Sequence, residues 1–102
     1  MIPNPPLADS EPLIIMSDKP WSVYIVECSD GKLYTGISND VAKRVDAHSK
    51  GKGCRFTKYR HPVKLVYQEL CGTKSDARKR EIRVQKLQRY QKLRLIVLYN
   101  KI

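Results

Sequence analysis

The sequence has no run of about 18 apolar residues and no basic stretch ahead of an apolar one, so neither a membrane-spanning helix nor a secretory signal is expected. Cysteine is scarce. Cys28, Cys54 and Cys71 are odd in number, widely spaced and without a CxxC pair, which argues against a disulfide framework and against a zinc site. Free thiols in a reducing, cytoplasmic setting are the expectation. Acidic residues are also few, 10 Asp and Glu against 20 Lys and Arg, for a formal net charge of +10. Through Pro20 there is one lysine against three acids, so the balance is −2 there and +12 over residues 21–102. A positive field of that density on a small domain favours a polyanion, chiefly nucleic acid, over a membrane surface. No internal repeat, zinc finger or sequence-reading helix is visible, so base-specific reading of duplex DNA by the domain itself is not expected.

What is present fits one compact domain of 102 residues, large enough for a core without disulfide support. Residues 1–20 carry Pro3, Pro5, Pro6, Pro12 and Pro20 around a single apolar patch, Leu13 to Met16, and read as a flexible tail. Met16 is a second possible translation start. The patterned domain spans residues 21–102. Trp21 to Cys28 reads as a strand, Ser29-Asp30-Gly31 as a turn, and Lys32 to Ser38 as the antiparallel partner. A three-residue turn with Gly31 left-handed would pair Tyr24 with Gly36 and Val26 with Tyr34. It would put Tyr24, Tyr34 and Gly36 on one face and Val23, Ile25, Leu33 and Ile37 on the other.

Asn39 is the expected cap of a helix over about 40–50 with Val41 and Val45 on its buried side, and Gly51 follows as its stop. Residues 51–62 read as a basic loop, and Lys64 to Leu70 as a third strand. Ser75 is the expected cap of a helix to about Leu87, with Ala77, Glu81 and Val84 on one face, and a last helix runs over Gln88–Tyr99. The order ββαβαα makes an α+β domain, a small three-stranded sheet with helices.

Several side chains in this frame could carry chemistry. A tyrosine pair in a hairpin usually packs, but Gly36 beside Tyr34 marks a place where a ligand or another backbone comes close. Arg44 offers a permanently charged fork for phosphate oxygens, and His48 lies four residues on along the same helix. Glu81 faces inward among Arg78, Lys79, Arg80 and Arg83, either ion-paired with Arg78 or placed as the lone carboxylate of a magnesium site. Lys50, Lys52, Arg55 and Lys58, with Arg60 and the rings of Phe56 and Tyr59, look like a phosphate-neutralising and base-stacking surface. Lys79, Arg83 and Lys86 would extend it.

These residues together resemble the GIY-YIG nuclease family, and in particular its small stand-alone bacterial members. Ser22-Val23-Tyr24 stands for Gly-Ile-Tyr and Tyr34-Thr35-Gly36 for Tyr-Ile-Gly, with Arg44, His48 and Glu81 following. The likeness covers about residues 21–95. It implies a central three-stranded antiparallel sheet flanked by helices. It also implies a divalent-metal-dependent DNA endonuclease acting on structured, branched or damaged DNA, with a non-catalytic nucleic-acid-binding module of the same fold as the alternative. In that scheme Glu81 holds magnesium or manganese. Tyr24 is the base toward the attacking water, its ionised form favoured by Arg44, His48 or another cation, and Tyr34 orients the phosphate or shares the role of base. Arg44 stabilises the transition state. DNA is the expected partner, with Lys32, Lys50, Lys52, Arg55, Lys58 and Arg83 on its backbone, no small-molecule cofactor, and another protein as a possible aid to substrate choice. Three departures stand out. Ser22 replaces a glycine, Ile37 follows Gly36 where excision-repair members have lysine, and no Pro-x-Asn segment follows Glu81.

Overall fold

A computed structural model describes residues 19–100. The expected tail, residues 1–20, lies outside the described residues apart from Lys19 and Pro20. Strand β1, Trp21–Glu27, is rich in β-branched and aromatic residues and sits at the centre of a sheet in the order β2-β1-β3. Strand β2, Leu33–Ser38, and strand β3, Lys64–Gly72, flank it, both antiparallel. The hairpin register pairs Tyr24 with Gly36 and Val26 with Tyr34. Gly31 has φ +85°, Cys28 N donates to Lys32 O at 2.8 Å, and Gly31 N donates to Cys28 O at 2.9 Å. Ser29-Asp30-Gly31 is therefore a three-residue turn, and the two faces divide as the alternation requires.

Helix α1, Val41–Ser49, is capped by Asp40 and not by the expected Asn39. Asp40 Oδ1 accepts from Lys43 N at 3.2 Å, and its own N–H donates to Ser38 Oγ at 2.9 Å. Either side chain suits the cap, so composition does not fix which takes it. The helix ends where Gly51, φ +76°, lets Gly51 N reach His48 O at 3.0 Å and Lys52 N reach Ala47 O at 2.8 Å. The segment expected as a plain loop contains a single helical turn, α2, Arg55–Lys58. Helix α3, Lys74–Gln85, is capped by Thr73 rather than Ser75, with Thr73 Oγ1 accepting from Asp76 N at 3.0 Å. Helix α4 is Arg89–Asn100.

The chain thus forms an α+β domain with helices on both faces of the sheet. On one face Val23, Ile25, Val66, Tyr67 and Val84 make an apolar core, closed by Leu33, Ile37, Leu95 and Ile96 from β2 and α4. Burying such side chains stabilises by about 1.5–3 kcal/mol each. A bulge in β3, with Ile25 opposite Tyr67 but Val26 opposite Leu65, leaves Val66 unpaired, and both Val66 and Tyr67 join this core. Arg80 Nε, donating to Glu69 Oε1 at 2.9 Å, fastens α3 to β3, and Tyr67 Oη, donating to the same oxygen at 2.6 Å, holds that carboxylate in place. The other face is different: Tyr24, Val26 and Val41 pack with Tyr34, Val45, Val63 and Leu65 under α1.

Candidate active site

Gly36 is what allows Tyr24 to lie where it does. A Cβ at position 36 would stand 2.6 Å from the Tyr24 hydroxyl oxygen and 2.8 Å from its Cζ. The phenol therefore rests on bare β2 backbone, and its Oη lies 2.8 Å from His48 Nε2. Across the imidazole, Nδ1 is 2.8 Å from Thr57 Oγ1. The Gly53 backbone closes the remaining side, where a Cβ would come within 2.0 Å of Nδ1. Tyr24 is 1 % exposed, and His48 and Thr57 are 0 % exposed. A buried polar chain of this kind contributes less to stability than apolar residues of equal volume, and perturbed titrating groups of this kind concentrate at functional sites.

The electrostatics correct one expectation. Burial raises the Tyr24 hydroxyl above its ordinary pKa of 10.0, and the nearby Arg44 guanidinium opposes that rise without overcoming it. The cations around it do not hold Tyr24 ionised. Burial, and then the positive charge of Arg44, lower His48 below 6.5, so the imidazole is neutral at neutral pH. The structure thus sets a neutral imidazole, not a field that ionises the phenol, within hydrogen-bond reach of Tyr24.

Tyr34 stands beside this pair, half-buried, its ring centroid 5.2 Å from that of His48. Burial and then the Cys54 sulfur push its hydroxyl well above the usual phenol range. On its far side Phe56 stacks at 5.6 Å, and Arg60 lies 4.3 Å over the Phe56 ring. Arg60 Nε donates to Asp30 Oδ2 at 3.1 Å, and Ser29 N donates to Arg60 O at 2.9 Å. The β1–β2 turn therefore anchors the loop that carries α2. This also corrects the reading of Phe56, whose ring is occupied between Tyr34 and Arg60, whereas Tyr59 is 82 % exposed with only the Lys58 ammonium over its ring at 5.4 Å.

Glu81 comes from α3, whose Val84 belongs to the core on the opposite face from Tyr24. It is 7 % exposed, with Oε1 taking a hydrogen bond from Arg78 Nη1 and Oε2 only a long one, 3.4 Å, from Gln85 Nε2. The i,i+3 pairing with Arg78 is thus formed. The carboxylate's charge is still felt at Tyr24, where it adds to the rise of the hydroxyl that burial causes. Among the described residues no three His, Cys, Asp or Glu side chains gather into a metal-binding group. That donor set cannot encage a metal, but one inward carboxylate with a nearly free oxygen fits magnesium, which keeps several waters and takes one or two carboxylates plus substrate phosphate.

Two basic grooves border the site. One, about 410 Å³, is lined by Lys19, Ser38, Asn39, Asp40, Lys43, Arg44 and Ala47. The other, about 220 Å³, is lined by Lys32, Leu33, Phe56, Arg89 and Lys92. Lys52, Arg55, Lys58 and Arg83 are exposed. Lys50 is exposed as well, but its Nζ pairs with Asp46 at 2.9 Å. Sequence reasoning missed Gly53, Thr57, Arg89 and Lys92. A four-residue helix is too short to show a period, so nothing marked Thr57 as facing a histidine.

The sequence matches the GIY-YIG catalytic domain over residues 20–94. The chain belongs to the GIY-YIG nuclease superfamily. Among its relatives, UPF0213 proteins of Staphylococcus aureus strains Mu3 and N315 are each 57% identical over 74 residues, which is 72% of this chain and 90% of theirs. A solution NMR structure of a UPF0213 protein from Bacillus halodurans superposes with a TM-score of 0.50 at 40% identity, covering 76% of this chain and 83% of that one. Among the described residues no helix is long and apolar enough to cross a membrane.

Proposed function

We propose that this protein is a divalent-metal-dependent DNA endonuclease acting on structured or damaged DNA. The observation that carries the reading is the buried hydrogen bond between Tyr24 Oη and His48 Nε2, 2.8 Å long, beside the Arg44 guanidinium. Arg44 offers only donors, so within this group the phenol proton has one acceptor, His48 Nε2. In the reaction that proton passes to His48, and the phenolate so formed takes a proton from the attacking water. The hydroxide adds to phosphorus, the bond to the leaving oxygen breaks and that oxygen takes a proton from solvent, while the proton held by His48 is released and restores the resting pair. Arg44, which also lines the larger groove, holds the phosphate and stabilises its growing negative charge.

Glu81 would hold magnesium or manganese, which supplies Lewis-acid charge at the phosphate when bound. Tyr34, more open than Tyr24, orients the substrate. Lys32, Lys52, Arg55, Lys58 and Arg83, with Lys50, neutralise the backbone on either side, and a protein partner would add selectivity for DNA structure. The test is cleavage of flap, fork and plain duplex DNA with magnesium, with manganese, or with chelator. Metal-dependent nicking, faster on the branched substrates, is the expected result. Binding without cutting under every divalent metal overturns the reading in favour of a non-catalytic nucleic-acid-binding module.

A further inference from the structure

We propose that Thr57 is a positioning residue that fixes which ring nitrogen of His48 carries the proton, and that it thereby keeps Nε2 open to receive the proton of Tyr24. The inference rests on the nuclease reading for its consequence, but its geometry stands alone. The Thr57 hydroxyl has one proton to give. Its local acceptor is the Cys54 carbonyl oxygen, 3.3 Å from Thr57 Oγ1, to which the hydroxyl can only donate. The back-bond to residue i−3 is the ordinary local choice of a threonine in a helical turn. With its proton committed there, Thr57 Oγ1 can only accept from His48 Nδ1, 2.8 Å away.

The other end of the ring requires the same assignment. Tyr24 Oη lies beside Arg44, which cannot accept, so the phenol donates to Nε2. Two independent hydrogen bonds thus place the imidazole proton on Nδ1. The groups facing the ring are Tyr24 from β1, Tyr34 from β2, Arg44 from its own helix, Thr57 from α2 and the Gly53 backbone. No carboxylate stands among them to draw the proton elsewhere. The short helix α2 therefore has a task beyond packing. It carries the hydroxyl that, together with Tyr24, sets the tautomer of a fully buried histidine.

The test is nitrogen-15 NMR of the imidazoles in the full chain at neutral pH, without DNA, run beside cleavage of fork DNA in magnesium. His48 should show a protonated Nδ1 and an unprotonated Nε2. Thr57→Val, nearly equal in shape, should shift the ring toward the Nε2-protonated form. It should also slow cleavage by about ten- to a hundredfold, the lower part of what a misplaced general base costs. Thr57→Ser, which keeps the hydroxyl, should restore both. A wild-type ring protonated on Nε2, or a valine variant with unchanged tautomer and rate, overturns the proposal. An Nδ1-protonated ring that Thr57→Val disturbs, in a protein that cuts no DNA, upholds the positioning role and refutes the nuclease reading instead.

Discussion

The two faces of the sheet are built from the same three strands and do different work. Toward α3 and α4, Val23, Ile25, Val66 and Val84 form an apolar layer. Toward α1, the equivalent depth is given to Tyr24 and His48, with Thr57 behind them, none more than 1 % exposed. Apolar residues of the same size would have sealed that face at lower cost, since each buried polar group there must find a partner. The difference teaches that the face toward α3 and α4 supplies most of the stability, while the face toward α1 spends some of it on burying a hydrogen-bonded phenol and imidazole; Glu81 reaches the site from α3.

Substitutions on each face should separate these properties. Glu81→Ala and Tyr24→Phe should lower the cleavage rate most, by about a hundredfold to ten-thousandfold, with DNA affinity little changed, as single-turnover kinetics and a binding titration will show. Ile25→Ala should do the reverse, costing about 2–5 kcal/mol in urea unfolding while the folded fraction cuts at the wild-type rate. Gly36→Ala mixes the two, because its methyl would displace the Tyr24 hydroxyl from His48. About 1–3 kcal/mol of stability should go together with most of the activity.

The smallest effect concerns pH. His48 titrates below its unfolded value in the folded state, so the unfolded chain binds the extra proton first as pH falls. Its contribution to stability is complete above about pH 6.5, the unfolded value, and is lost as pH falls from there through the lower folded value. The cleavage rate should fall over the lower part of that window, as the acceptor becomes protonated. Unfolding midpoints from pH 7 to 5 should decline more steeply in wild type than in His48→Gln. Equal slopes would show that the imidazole is not held neutral.

Much of this was legible in the sequence. The three-residue turn at Ser29-Asp30-Gly31 put Tyr24 and Tyr34 on one face, whereas a two-residue loop would have paired Tyr24 with Ile37 and divided the tyrosines between the two faces. The inward face of Glu81 followed from its spacing to Ala77 and Val84. What escaped was non-local. Neither the burial of Tyr24 nor the occupation of Phe56 can be read from a strand or a basic loop alone, since the first depends on how α1 packs on the sheet and the second on how α2 meets Tyr34 of β2. The caps at Asp40 and Thr73 escaped for a smaller reason, as neighbouring residues have equal capping chemistry.

The most direct test of the account measures binding and cleavage of the same fork DNA by wild type and Tyr24→Phe under identical salt and magnesium. The phenylalanine variant should keep the wild-type Kd and lose at least about a hundredfold in cleavage rate, because only the proton-bearing oxygen has gone. Cleavage that survives the substitution, or that falls only as far as binding does, would contradict the claim that Tyr24 and His48 form the base.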